Sequence, residues 1–353
     1  MSLRKFLVNR YKNRKFRLNG IFPSTHLPSK QWLCQALSDH LIYDANQLPP
    51  KVDLRQDMTP VEDQSRIGSC TANCLAGAYE YLTKKKNGHN TDVSRLFIYY
   101  NGRVKSGNSY NVTDSGCSMT NIIEALEEFG ICLESIWPYN ITNINTRPSD
   151  EAYTTAKDHK ITEAFQVKID LYEMKSCLAQ GFPFAFGLKL FASFDQATNI
   201  GVVPMPSAFD RSRQSHGNHA LLAVGYSDRS QAFIVRNSWG EDWGDKGYCY
   251  IPYDYITNTE YCFDVWTVRK VAIDDFGQDH WDQDDSIDYQ QNFNPDNDND
   301  DGNNRTIEDL DNDDDGDDDN GDNAYFGNQT NNDQDDEHWN TTDTGQRFFN
   351  FGY

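Results

Sequence analysis

Along the first half of the chain the apolar residues recur at helical spacing. Thr71, Cys74, Leu75, Ala78, Tyr79 and Leu82 fall at i, i+3, i+4, i+7, i+8 and i+11, one face of a helix whose amino end is Gly68-Ser69-Cys70. Met119, Ile122, Ile123, Leu126 and Phe129 predict a second, with Ser118 as N-cap and Gly130 as terminator. After residue 160 the period changes to strict alternation. Phe165, Val167, Ile169 and Leu171 form one run and Phe184, Phe186, Leu188 and Leu190 another; His219–Tyr226, Ala232–Asn237, Gly247–Ile251 and Cys262–Val268 read as further strands. Helices first and then an antiparallel set large enough to curl into a barrel predict an α+β chain of two lobes with a cleft between them. The expected organisation is a Pro-punctuated extension over 1–49, a helical lobe over 50–163, a β-barrel lobe over 164–273 and a tail over 274–353.

Charge alters this picture only at the two ends. The 353 residues carry 32 basic and 54 acidic side chains, a net −22. Residues 274–353 hold 26 of the acids against Arg305 and Arg347 alone, so the rest of the chain is nearly neutral. That Asp/Asn-rich tail cannot bury enough apolar surface to offset chain entropy and reads as disordered. Within it Asp311, Asp313, Asp315, Gly316 and Asp317 mimic a calcium loop, but position twelve is Asp322 and no helices flank it; a solvated polyanion is the simpler reading. At the other end, residues 1–20 carry seven Lys or Arg and no acid. This basic arm reads as a solvated or loosely docked extension, or as a contact for the body or the acidic tail. No apolar run suits a spanning helix or a secretory signal, so a cytoplasmic location, or packaging in a particle such as a virion, is favoured over classical secretion. Reduced thiols are then expected for the cysteines that remain after the chemistry below is assigned.

Three distant segments hold what a thiol nucleophile requires. Gln64-Ser65-Arg66-Ile67-Gly68-Ser69-Cys70 sets a cysteine at a helix amino end, where N–H groups and the helix dipole favour thiolate. His219, 149 residues downstream, starts an apolar strand and can exchange a proton with that sulfur. Asn237, at the end of the next strand, can orient the ring through its amide oxygen.

At these motifs the chain resembles the papain family of cysteine proteases over about residues 50–270. The likeness runs from Leu48-Pro49-Pro50-Lys51-Val52-Asp53 through Gly68-Ser69-Cys70 and Trp137-Pro138-Tyr139 to Asn237-Ser238-Trp239-Gly240 and Trp243-Gly244, in family order. The resemblance implies a two-lobed papain-like fold and an endopeptidase acting through an acyl-enzyme. Cys70 would be its nucleophile, His219 its general acid and base, Asn237 the orienter, and Gln64 an oxyanion donor beside the Cys70 N–H. Trp239 would cover the His219–Asn237 bond and Trp243 would wall the primed side of the substrate groove. Such acyl transfer needs no metal or organic cofactor, and the implied partner is a polypeptide substrate.

The chain departs from the common pattern in three places. Thr71 stands where a tryptophan usually follows the nucleophile, Ile67 replaces a cysteine, and Gly116-Cys117-Ser118-Met119 lacks the usual glycine pair on the non-primed wall. Two rival readings use the same residues: a transpeptidase or transglutaminase-like acyl transferase, and a non-catalytic binding protein with a vestigial cleft. With no long helical prosegment in view, the basic arm or the Pro-rich stretch to Pro50 is expected to lie across the cleft and restrain it.

Overall fold

The computed structural model describes residues 6–9, 14–107, 111–212 and 216–271. The acidic tail with its calcium-like loop, and most of the charged residues of the basic arm, lie outside them. The described residues belong to one compact unit, Met1–Phe293.

Five principal helices occur: α1 (Cys70–Asn87), α2 (Arg95–Lys105), α3 (Met119–Glu128), α4 (Asp150–Ala156) and α5 (Leu171–Ala179). Helix α1 is buried on nearly every side from Cys70 to Thr83, because it passes between the helical layer of α2 and α3 and the sheet. Its carboxyl end is closed by Gly88 in the left-handed conformation, with Lys84, Lys85 and Lys86 in the last turn where the helix dipole favours cations. Ser94 and Ser118 cap α2 and α3 by accepting from the Phe97 and Asn121 N–H groups.

The strands are β1 (Phe6–Asn9), β2 (Arg14–Arg17), β3 (Gln35–Ala36), β4 (Lys51–Asp53), β5 (Ile161–Gln166), β6 (Phe184–Leu190), β7 (Gly217–Ser227), β8 (Ala232–Arg236), β9 (Tyr248–Pro252) and β10 (Cys262–Val271). Strands β1 and β2 pair as a separate ribbon. The others form an eight-stranded sheet in the order β3-β5-β10-β6-β7-β8-β9, with β4 added against β7; all pairings are antiparallel except β3 with β5. The inner strands β6, β7 and β8 are almost wholly buried, as expected of strands covered on both faces, with α1 and α5 packed on β6 and β7.

One alternating run is shorter than the pattern suggests. The strand that includes Phe165 stops at Gln166, and Leu171, counted with it, opens α5 instead. Asp170 decides this by accepting from the Glu173 N–H as an N-cap, which a strand could not accommodate. The Pro-punctuated stretch is also more ordered than a linker. Leu33 and Leu37 are fully buried, His40 stacks on Phe165 at 4.2 Å, and Tyr226 donates to the Pro49 carbonyl, so residues 31–50 are stitched into the sheet.

Gly130 follows α3 at φ +74°, and a Cβ there would lie 1.8 Å from the Ala156 carbonyl oxygen. Gly88 has nearly the same φ but open space around it. Gly130→Ala should therefore lower the unfolding free energy by about 2 kcal/mol or more, and Gly88→Ala by only about 1 kcal/mol. Denaturant midpoints check this; equal losses would show that the Ala156 contact is not a constraint.

Candidate active site

The turn before α1 is held by its neighbours rather than by a cap. Ser69, the N-cap residue, makes a 2.5 Å hydroxyl contact with the Tyr139 hydroxyl, accepts from the Asn73 side-chain amide, and makes no side-chain cap. The first N–H groups of α1 therefore remain directed at the Cys70 sulfur. Tyr139 also donates to the Gln64 carbonyl, and Asp114 accepts from the Gly68 N–H and the Tyr99 hydroxyl. Tyr139 thus joins the Gln64 segment to the residue before Cys70.

His219 lies in β7, and its Nε2 is 2.8 Å from Asn237 Oδ1. The Ser238 N–H donates to the same oxygen, which fixes the Asn237 amide so that the ring nitrogen must be the other donor. Trp239 stacks on the imidazole at 4.6 Å and meets Trp243 edge-on at 5.0 Å, while Trp243 stacks on Phe194. Both tryptophans are buried, Trp243 beneath Trp239 and against the core. Gln64 is buried as well: its Oε1 accepts from the Ser238 hydroxyl at 2.6 Å, and its Nε2 donates to the Ile67 carbonyl at 2.9 Å. Bridges between Asp63 and Trp239 and between Gly240 and Glu62 bind the two segments along their length.

The basic arm covers this site. Phe16 lies flat on the other face of Trp239 at 4.8 Å, and Phe16, Leu18, Gly20 and Ile21 are buried. Asn19 donates its N–H to the Asn218 carbonyl and accepts from the Asn218 N–H, while the Gly20 carbonyl accepts from the Cys117 N–H at 3.0 Å and from the Thr71 hydroxyl. A Cβ on residue 20 would sit 2.7 Å from the Cys70 sulfur, so only glycine permits this approach. The solvated or loosely docked extension expected for residues 1–20 is thus corrected at Phe16–Ile21, where apolar side chains and paired backbone hold the chain in the groove.

Burial governs the protonation of the site. Burial pushes the Cys70 thiol up to about 11, overriding the N–H groups of Ala220, Thr71 and Cys70 that favour thiolate. Burial likewise holds His219 down at about 4, against the Asn237 hydrogen bond that favours the charged ring. Nδ1 of His219 is buried and has no hydrogen-bond partner among the described residues. Burial thus favours the neutral thiol and the neutral imidazole, and the Cys70 sulfur lies against the Ala220 N–H, one residue along from His219.

The match to known proteins rests on the same segments. The profile of the papain family cysteine proteases matches residues 48–262, more than half of the chain. The chain belongs to the papain family of cysteine proteases. A peptidase C1-like protein of Acanthamoeba polyphaga mimivirus is 36% identical over 232 residues, covering 63% of this chain and 73% of the relative. Cysteine proteinase 3 of Entamoeba histolytica is 26% identical, covering 58% and 63%. Among solved structures, xylellain, a cysteine protease from Xylella fastidiosa, is 35% identical with a TM-score of 0.61, covering 73% of this chain and 98% of that one. Within this papain-family site Thr71 bonds to the Cys117 and Gly20 carbonyls. Neither the Tyr139 and Ser238 contacts nor the seat of Phe16 was read from sequence; the glycine closing the basic run was the available signal.

No helix among the described residues is long and apolar enough to cross a membrane, and no group of three or more His, Cys, Asp or Glu there is placed to hold a metal. All eight cysteines are free thiols, and only Cys34 is not fully buried.

A thiol at about 11 leaves on the order of one part in a thousand as thiolate near pH 7.5. Iodoacetamide should therefore label Cys70 of the intact chain about 100-fold more slowly than Cys34 at that pH, with the Cys70 rate rising steeply toward pH 11. Peptide mapping by mass spectrometry reads both sites. Equal rates at pH 7.5 would contradict the burial.

Proposed function

We propose that this papain-family peptidase is an endopeptidase held in a resting state by its own arm. The reading is supported by one observation: Phe16–Ile21 runs from Trp239, which is stacked on the imidazole of the His219–Asn237 pair, to the Cys70 sulfur. With the arm out, water and a substrate peptide reach the site and the desolvation that keeps both groups neutral is relieved. The Cys70 proton passes to His219 Nδ1, and the thiolate attacks the substrate carbonyl carbon. The oxyanion is met by the Cys70 N–H and, after turning from Ile67, by the Gln64 amide; such a donor is worth about 3 kcal/mol of barrier. His219 then protonates the departing amine, and water attacks the acyl-enzyme with His219 as base. Asn237 keeps the ring's Nδ1 edge toward the sulfur.

The arm is itself a peptide, yet it is poorly presented for cutting. It enters beside Trp239, on the primed side, and leaves beside Cys117, with which Ile21 pairs in parallel. A substrate places its amino-terminal half on the non-primed side, so the arm runs the opposite way and offers Cys70 a reversed Gly20 amide.

Cys70→Ala should abolish hydrolysis of a fluorogenic peptide, whereas Asn237→Ala should leave measurable turnover because it removes only the orienter. In the full-length chain, Phe16→Asp with Leu18→Asp should raise turnover at least tenfold. Each apolar side chain contributes about 1.5–3 kcal/mol when buried, and 1.4 kcal/mol is a factor of ten. Turnover undiminished in Cys70→Ala would refute the nucleophile; turnover unchanged in the double variant would refute the resting state.

A further inference from the structure

The Tyr139 hydroxyl stands in a line of hydrogen bonds whose direction is fixed at one end. It donates to the Gln64 carbonyl at 3.0 Å, and a carbonyl only accepts. Having spent its single hydrogen there, Tyr139 must accept from Ser69 in their 2.5 Å contact, and the Ser69 oxygen in turn accepts from the Asn73 side-chain amide at 3.0 Å. Three donors thus point one way, from the first turn of α1 to the backbone of Gln64. Bonds aligned in this way polarise one another, the more so because Asn73, Ser69 and Gln64 are all buried. Burial also raises the Tyr139 phenol above its ordinary range, against the Ser69 and Asn73 hydrogen bonds, so it remains a donor near neutral pH.

Tyr139 is held on its other sides as well. Its N–H donates to Glu134 Oε1 at 2.5 Å, and the Arg95 guanidinium lies 4.4 Å from its ring centroid. Arg95 is anchored by Glu134 at 3.5 Å and by Glu62 at 2.7 Å, two residues before Gln64. Removal of the hydroxyl alone therefore leaves the ring in its seat.

Gln64 is clamped at both ends of its backbone. Its N–H donates to the Ser238 carbonyl at 2.8 Å, and its own carbonyl accepts from Tyr139. The chain turns immediately afterwards: Ser65 lies at φ +58°, which a Cβ disfavours, and its N–H donates to Asp63 Oδ1 at 2.8 Å. Such a turn persists only where its surroundings over-determine it. With the backbone pinned, the side chain is what moves when the Gln64 amide turns from the Ile67 carbonyl toward an oxyanion. The Tyr139 bond ties Gln64 to Ser69, the residue next to the Cys70 N–H, and so sets the spacing of the two oxyanion donors.

We propose that Tyr139 is a positioning residue for the oxyanion site, acting through Gln64, with Ser69 and Asn73 holding its hydroxyl in place. This inference rests on the peptidase reading above and deepens it. The test uses the full-length chain with Phe16→Asp and Leu18→Asp as the parent. Tyr139→Phe should lower kcat for a fluorogenic peptide about tenfold with KM within about twofold, because misplaced donors forfeit stabilisation made only in the transition state. A peptide aldehyde, whose adduct with the Cys70 sulfur turns its oxygen to the same donors, should inhibit more weakly by a similar factor. Iodoacetamide, which alkylates the sulfur without forming an oxyanion, should label Cys70 at a rate within about twofold of the parent. In a Gln64→Ala background Tyr139→Phe should cost about twofold or less, since the residue it acts through is gone. Ser69→Ala, which leaves Tyr139 bonded to Gln64 but unheld, should show the same pattern at about threefold. A changed alkylation rate, a Tyr139→Phe effect of full size in Gln64→Ala, or unaltered kcat in both Tyr139→Phe and Ser69→Ala overturns the positioning role alone. Absence of Cys70-dependent hydrolysis in the parent overturns the peptidase reading and this inference with it.

Discussion

The contact on which the remaining properties depend is the apposition of Phe16–Ile21 with the groove between α1 and β7. On the reading proposed above, it keeps water from a thiol and an imidazole that would form an ion pair once solvated or in contact with a polar substrate. The same burial moves the two groups in opposite directions, the thiol up to about 11 and the imidazole down to about 4. Charge separation between them is therefore unfavourable while the arm is seated. In the proposed resting state the block is electrostatic as well as steric: a small reagent that slipped past Gly20 would still meet a thiol.

Among the described residues the arm is held by apolar and backbone contacts. Seven basic residues in a chain with an acidic tail point to ionic docking; most of them and the whole tail lie outside the described residues. The described contacts are instead the Phe16–Trp239 stack, the buried Leu18 and Ile21, and backbone hydrogen bonds to Asn218 and Cys117. Apolar burial of this kind responds little to salt. The extension also divides at the groove exit. Residues 14–21 occupy the site, while residues 31–50 are part of the sheet through β3, Leu33, Leu37 and the Pro49 carbonyl. Between them Phe22 and Leu27 are exposed, and Ser24 bridges Asp264 and Thr120.

Much of this was legible because local and global signals agree. The period of α1 and α3, the Ser118 cap and the Gly130 stop are backbone requirements that a single sequence displays. The nearly continuous apolar runs of β7 and β8 reflect burial on both faces. Cys70, His219 and Asn237 stood out because a helix amino end, a strand start and a strand end supply three chemically matched groups. The start of α5 was hidden because Ile169 and Leu171 continue an alternation that only the Asp170 cap interrupts. The seat of the arm was hidden for a different reason. Its partners Trp239, Asn218 and Cys117 are between about 100 and 220 residues away, and nothing periodic links a short Phe-x-Leu-x-Gly-Ile segment to them.

The state of the His219 ring tests the central claim most directly. Nitrogen-15 NMR of histidine-labelled intact protein distinguishes imidazolium from each neutral tautomer. At pH 6 to 7 the account predicts a neutral ring protonated on Nε2, bonded to Asn237 and charging only as pH falls toward about 4. An imidazolium signal from His219 in that range would show that the ion pair already exists under the seated arm, and would contradict the account.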